Sequence, residues 1–357
     1  MKTKKGVLLI NLGTPDSPKV ADVRKYLDEF LMDGRVIDIG AFQRNLLVRG
    51  IIVPFRSPKT AKLYQAIWDQ KTGSPLLHIS EVQVALLRKE LGESYQVELA
   101  MRYQKPSIEE ALQRLKRAMV DSIQVIPLFP QYASASTGSV IEKVMKLVAG
   151  WHTFPRISIV NQFYDNELMI ETFADNARKK QVENYDHVLF SFHGLPVRQL
   201  KDVDNTGTHN CDTAFCRTQI TAENKFCYSA QCHETARLIA AKLGLNTAKY
   251  TVCFQSRLGK DPWVQPYTSD TLIELAGKGV KRLLVLCPAF VADCLETLYE
   301  VTEEYGQEFK KLGGEHVELV PSLNDHPKWI EALKQMVIAE EEVGAALTKR
   351  YTKKAEV

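Results

Sequence analysis

No stretch of this 357-residue sequence approaches the roughly 18 consecutive apolar residues that a spanning helix needs. That excludes an integral membrane protein built of helices. Charge of one sign is lacking as well: 46 Lys and Arg stand against 43 Asp and Glu, a formal net charge of +3. Basic residues cluster only at Lys2–Lys5 and Lys349–Lys354, which read as solvated tails, so no nucleic-acid partner is expected. No secretion leader is expected either. The apolar run Val7–Leu12 is too short for one and no small-residue cleavage site follows it, so it reads as a buried first strand. The expected compartment is the reducing cytoplasm, where clustered cysteines serve metals rather than disulfides. No residue-level repeat stands out.

What is present is an ordinary globular composition, 45% hydrophobic and 25% charged. Short β-branched runs alternate with amphipathic stretches. The runs are Gly6–Leu12, Tyr95–Met101, Ser122–Leu128 and Ile157–Val160, then His187–Phe192, Tyr250–Phe254, Arg282–Cys287 and Val317–Val320. They are continuous rather than alternating, as parallel strands covered on both faces require. Ile108–Ala118, Glu167–Lys179, His233–Lys242 and Ser269–Lys278 read as helices between them. The pattern predicts an α/β fold of two Rossmann-like lobes, each with a four-stranded parallel sheet and a cleft between them. The lobes are expected over 1–165 and 166–325, with 326–357 as a terminal helix returning to the first lobe.

Catalytic groups of open α/β sheets gather beyond the carboxyl ends of strands. His193 stands at such an end, in Ser191-Phe-His-Gly-Leu-Pro; it reads as a base or ligand, or equally as a hydrogen-bonded core histidine. After another strand, Asp293, Glu296 and Glu300 recur at helical spacing, extended by Glu303 or Glu304. Such a row suits a path for a hydrated cation or for protons, although a solvated acidic face has the same pattern. Arg257 and Trp263 offer a carboxylate partner and an aromatic wall. Tyr132 and Ser134 open a hydroxyl-rich loop.

Together Ser191-Phe-His-Gly-Leu-Pro, Gln255-Ser-Arg with Trp263, and Phe290 through Glu300 resemble the signature segments of ferrochelatases. Asn11-Leu-Gly-Thr-Pro, Gly73-Ser-Pro-Leu, Arg102-Tyr and Pro130-Gln-Tyr fit the same family, over about residues 6 to 335. The resemblance implies insertion of Fe²⁺ into a porphyrin, protoporphyrin IX above coproporphyrin III, to form haem. It implies His193 and Glu296 as catalytic and iron-binding residues facing each other across the macrocycle, with Asp293 and Glu300 as the acidic path. It implies porphyrin contacts at Leu12, Arg102, Tyr103, Tyr132, Ser134, Arg257 and Trp263, a pocket lip from Leu31 to Arg56, and a π-type turn in the helix holding Glu296. Where some relatives carry histidine after the aspartate, this chain has Cys294.

Cys211, Cys216, Cys227 and Cys232 have an uncommon spacing for zinc; four thiolates suit zinc or an iron–sulfur cluster. Residues 205 to 226 look like an insertion relative to cluster-free ferrochelatases. Some bacterial members carry such a set on [2Fe–2S], and that is the cofactor the resemblance implies here. The apolar and basic residues around Leu46, Ile51, Arg44, Arg49 and Arg56 read as a mobile porphyrin lip in preference to a dock on the inner face of a membrane. Two rivals stay open: a chelatase for another metal, and a haem-binding protein without turnover. The residues leave monomer and homodimer open.

Overall fold

The strand β1 (Lys5–Gly13) is buried along nearly its whole length, and its side chains divide between two apolar layers. Val7 and Leu9 enter one core, Leu8 and Ile10 the other. A strand buried on both faces has to be covered on both, which is the condition of a parallel sheet flanked by helices. β2 (Tyr95–Tyr103), β3 (Ser122–Pro127) and β4 (Arg156–Ile159) join it in a four-stranded parallel sheet of order β2-β1-β3-β4. A second parallel sheet has the same plan, β6-β5-β7-β8, from β5 (His187–His193), β6 (Tyr250–Gln255), β7 (Arg282–Leu286) and β8 (His316–Leu319). The two expected four-stranded sheets are thus present, with strand ends within two residues of the apolar runs. The structure, a computed structural model, describes residues 4–204, 214–257, 259 and 261–339.

In each sheet the order reverses beside its first strand, between β1 and β3 and between β5 and β7. Crevices open at such reversals, past the carboxyl ends of the strands. The largest core runs from Val7, Leu9 and Val97 through to Val188, Phe190 and Leu284, so both sheets share one apolar interior. The helix over 327–339 enters that core with Trp329, Leu333 and Val337, and Gln124 donates to the Met336 carbonyl at 2.9 Å.

Helices start where side chains satisfy their first amides. Ser107 and Glu110 form a reciprocal capping box at Ile108–Arg117, and the Asn166 side chain accepts from the Met169 amide at Glu167–Lys179. The segment after β1 folds over its carboxyl end. It comprises the helix Val20–Leu31 and a continuous helical run, Ala41–Leu47, a π turn Val48–Ile52 and Val53–Ile67. Val23, Tyr26, Leu27 and Tyr64 pack there against Tyr103, with Leu12 and Leu295 at the margin. Gly13 permits this crowding: its φ is +119°, and a Cβ would stand 2.1 Å from the Tyr103 carbonyl oxygen.

Candidate active site

His193 ends β5 and Glu296 opens the π-helix Glu296–Tyr305 that follows β7, so the two flank the reversal in the second sheet. His193 is held on three sides. The Gly194 amide donates to the Gln255 carbonyl at 2.8 Å, and the Tyr228 hydroxyl donates to the His193 carbonyl at 2.8 Å. The ring Nδ1 lies 2.7 Å from the Gly194 carbonyl. A carbonyl only accepts, so Nδ1 carries the proton and Nε2 of the neutral ring is bare. Trp263 stands beside the ring at 6.5 Å between centroids, fixed by the Val264 amide donating to the Leu195 carbonyl at 3.0 Å. Gly194 is required by this packing, since a Cβ there would lie 2.9 Å from the Gln255 carbonyl oxygen and 3.1 Å from the Trp263 ring.

Burial pushes the His193 imidazole below its ordinary range, while the Glu296 carboxylate pulls in the other direction. The imidazole therefore rests neutral and within electrostatic reach of Glu296. Glu300 lies one turn further along the π-helix. Burial first, then the Glu296 charge, push its carboxyl up to about 8, so it is protonated at neutral pH. Ser256 donates to Glu300 at 2.8 Å, and Gln255 approaches the same oxygen at 3.5 Å. Ser191 in turn donates to Gln255 Oε1 at 2.6 Å. Gln255 and Ser256 open the Gln255-Ser-Arg signature segment, but sequence reasoning gave neither a role at Glu300. It also missed Tyr26 and Tyr64, buried phenols whose ionisation Glu296 further opposes.

Asp293 lies before the π-helix and apart from its row. Its carboxylate accepts from Thr297 Oγ1 at 3.0 Å, from the Ser322 amide at 3.2 Å and from Asn324 Nδ2 at 2.7 Å. On the helix itself Glu296, Glu300 and Glu304 succeed one another four apart, and the charges of the outer two both push the Glu300 carboxyl up. This π-helix has no counterpart in the ordinary helical spacing read from the sequence, and it is the turn type that the family resemblance implied.

The sequence model of the family described as Ferrochelatase matches residues 4–341. A ferrochelatase of Legionella pneumophila (strain Lens) is 46% identical over 336 residues, covering 94% of this chain and 98% of that one. The chain belongs to the ferrochelatase family. A ferrochelatase of Coxiella burnetii (strain Dugway 5J108-111) is 44% identical over 339 residues, covering 93% of each. Among solved structures, SirB from Bacillus subtilis with Fe³⁺ overlaps 94% of each chain at a TM-score of 0.49 and 12% identity. The protein is accordingly a metal-inserting enzyme of haem synthesis, and the family's reaction is insertion of ferrous iron into a porphyrin.

The other residues expected to touch porphyrin in this ferrochelatase fold divide into groups. Leu12 and Leu295, the residue before Glu296, both pack against the apolar cluster around Tyr103. Arg102 is engaged internally: its guanidinium pairs with Asp33 at 2.5 Å and donates to Ser139 Oγ at 2.6 Å. Tyr103 is fully buried and donates to the same Asp33 at 2.9 Å. Arg257 lies over the Tyr267 ring, 4.6 Å from its centroid. Tyr132 and Ser134 line a separate cavity of about 610 Å³ with Arg35, Asp38, Gln199 and Phe226, and Arg35 donates to Ser134 Oγ at 2.9 Å.

Cys211 lies outside the described residues. The Cys216 and Cys227 sulfurs are 3.7 Å apart and buried, too far for a disulfide bond of about 2.05 Å. Asn224 organises this pair. Its Nδ2 donates to the Gln219 carbonyl at 2.9 Å and sits 4.0 Å from Cys216 Sγ, while its carbonyl accepts from the Cys227 amide at 2.8 Å. Cys227 caps the helix Tyr228–Lys242, and Cys232 is fully buried one turn further on. Burial pushes the Cys232 thiol well up. Among the described residues, no group of three or more His, Cys, Asp or Glu is arranged to hold a metal ion.

Proposed function

We propose that the chain inserts Fe²⁺ into protoporphyrin IX with His193 and Glu296 as its catalytic pair. One observation supports this reading: a buried, neutral imidazole with a bare Nε2 stands beside the reversal point of the second sheet, within electrostatic reach of the Glu296 carboxylate. A free porphyrin offers two N–H groups and no open coordination site. Two protons must leave as Fe²⁺ enters, and iron stays ferrous throughout. His193 Nε2 is the acceptor for a pyrrole proton. Glu296 receives the metal or the second proton, and Glu300 and Glu304 extend the path along the π-helix. Asp293 anchors the first turn of that path through Asn324. Binding energy from the rest of the macrocycle distorts the ring out of plane. Trp263 and Leu12 would contact the macrocycle, while Arg102 and Tyr103 hold the segment after β1 through Asp33.

Anaerobic assays with Fe²⁺ and either protoporphyrin IX or coproporphyrin III test this. Haem formation preferring protoporphyrin IX, and outcompeting Co²⁺ insertion, is expected. Porphyrin binding with no insertion contradicts it.

The cysteine segment fits a thiolate-bound group, because two buried sulfurs already stand at 3.7 Å beside a polar brace. Cys211, Cys216, Cys227 and Cys232 would hold [2Fe–2S], which would cross-link the insertion and leave the insertion reaction itself without a redox step. Equal iron and acid-labile sulfide in anaerobically purified protein is the expected analysis; zinc without sulfide contradicts it.

A specific feature favours peripheral membrane contact by the lip. Phe42, Leu46, Ile51 and Phe55 are 83%, 64%, 55% and 74% exposed. Their spacing is four, five, four, and the π turn at Val48–Ile52 absorbs the extra residue, so all four remain on one face. Among the described residues no helix is long and apolar enough to cross a membrane, and the contact proposed is peripheral, through this apolar face.

A further inference from the structure

Tyr228 belongs to neither group of residues assigned so far, yet it touches both. It follows Cys227 and opens the helix Tyr228–Lys242. Its side chain is buried, 7% exposed, and its hydroxyl reaches back to the His193 carbonyl at 2.8 Å. That carbonyl belongs to the last residue of β5, where the ladder ends. A buried carbonyl without a partner is costly, so the phenol supplies what the sheet no longer can. The peptide after His193 is then gripped at both ends, by Tyr228 on its oxygen and by the Gln255 carbonyl on its Gly194 amide. The ring's own anchor, the Gly194 carbonyl, belongs to the next peptide. Tilting the first peptide moves the second, and with it the direction of Nε2.

On its other side Tyr228 is one covalent step from a cysteine whose sulfur lies 3.7 Å from Cys216. The Cys227 amide is tied to the Asn224 carbonyl at 2.8 Å, and Asn224 also contacts Cys216. The pair, the asparagine and the first turn of the helix therefore form one closed unit. We infer that Tyr228 is a positioning residue for His193 and the physical link through which the state of the cysteine pair reaches the site of iron insertion. This rests on the reading of His193 as the catalytic base. It gives the cysteine segment a mechanical role at the active site, with no electron transfer and no substrate contact.

Tyr228→Phe removes the hydroxyl and keeps the ring. Turnover, the KM for porphyrin, thermal stability and the side-chain ¹⁵N resonances of His193 (assigned by their loss in His193→Ala) are measured together. The expected result is a fall in kcat of about tenfold, the scale of one misplaced hydrogen bond, with an unchanged porphyrin KM and displaced His193 resonances. Stripping thiolate-bound iron from the wild type with a chelator is expected to displace the same resonances, and to leave those of Tyr228→Phe where they were. An unchanged kcat with unmoved resonances in Tyr228→Phe overturns the positioning role. A parallel loss of stability and porphyrin affinity with unmoved resonances also overturns it. Unmoved wild-type resonances after stripping overturn the link to the cysteines. Normal turnover in His193→Ala would instead overturn the catalytic reading itself, which separates the two failures.

Discussion

At the scale of single residues, the site depends on groups held in their neutral forms by burial. The Gly194 carbonyl selects the tautomer of His193, leaving Nε2 as the free base. Glu300 is kept protonated near neutrality, and this has a consequence for stability. Its folded value of about 8 lies above the ordinary carboxyl range, so proton binding favours the folded state. That contribution is complete below the ordinary carboxyl value of about 4.3 and is lost as pH rises through the folded value. Glu300→Gln keeps a neutral side chain at every pH. Its melting temperature relative to wild type should therefore climb between pH 5 and pH 8.5; a flat difference across that range would contradict the assignment. Gly13→Ala is a second residue-scale prediction. A methyl 2.1 Å from the Tyr103 carbonyl cannot be accommodated, and a loss above about 2 kcal/mol in denaturant unfolding is expected. His193 was legible as a residue at a strand end. Gln255 and Ser256 were legible as part of a signature segment but not as partners of Glu300, because nothing in an uncharged pair announces which carboxyl it will hold.

At the scale of elements, the clearest divergence between pattern and structure concerns the acidic row. Asp293, Glu296 and Glu300 have the spacing of one α-helical face, but helical structure begins only at Leu295. The chain turns before it, and Asp293 joins Asn324 and Thr297 in bracing that turn. Asn324→Ala should then cost about 1–3 kcal/mol of stability, because a buried carboxylate loses a donor; urea unfolding measures it, and a change below about 0.5 kcal/mol would contradict the bracing role. The lip shows the same limit of sequence patterns. Of the arginines flagged there, Arg49 pairs with Asp28 at 2.7 Å and Arg44 donates to the Ile37 and Ile39 carbonyls at 3.1 and 2.9 Å. What faces outward is the apolar row. Phe42→Ser with Phe55→Ser should abolish sedimentation with anionic liposomes and leave insertion into a soluble porphyrin intact. Sedimentation equal to wild type would remove the lip from any membrane contact.

At the scale of the whole molecule, the two sheets repeat one plan; the second presents His193 and Glu296 beside its reversal point, and the first is followed by the helical segment over its carboxyl end. This architecture was readable because parallel strands buried on both faces appear as continuous apolar runs, and all eight coincide with strands. The pairing order was beyond reach, since nothing in a uniformly apolar run such as Leu283–Leu286 names its neighbours. The proposed meeting of His193 and Glu296 rests on the family resemblance, for the two are distant in sequence and are brought to one end of the second sheet by the adjacency of β5 and β7. The most direct test of that meeting is the anaerobic initial rate of Fe²⁺ insertion in His193→Ala, measured alongside porphyrin binding by fluorescence. Porphyrin bound as in the wild type with haem formation reduced at least a hundredfold, in line with the loss of a positioned base, is the expected result. Insertion at a near-normal rate would contradict the account.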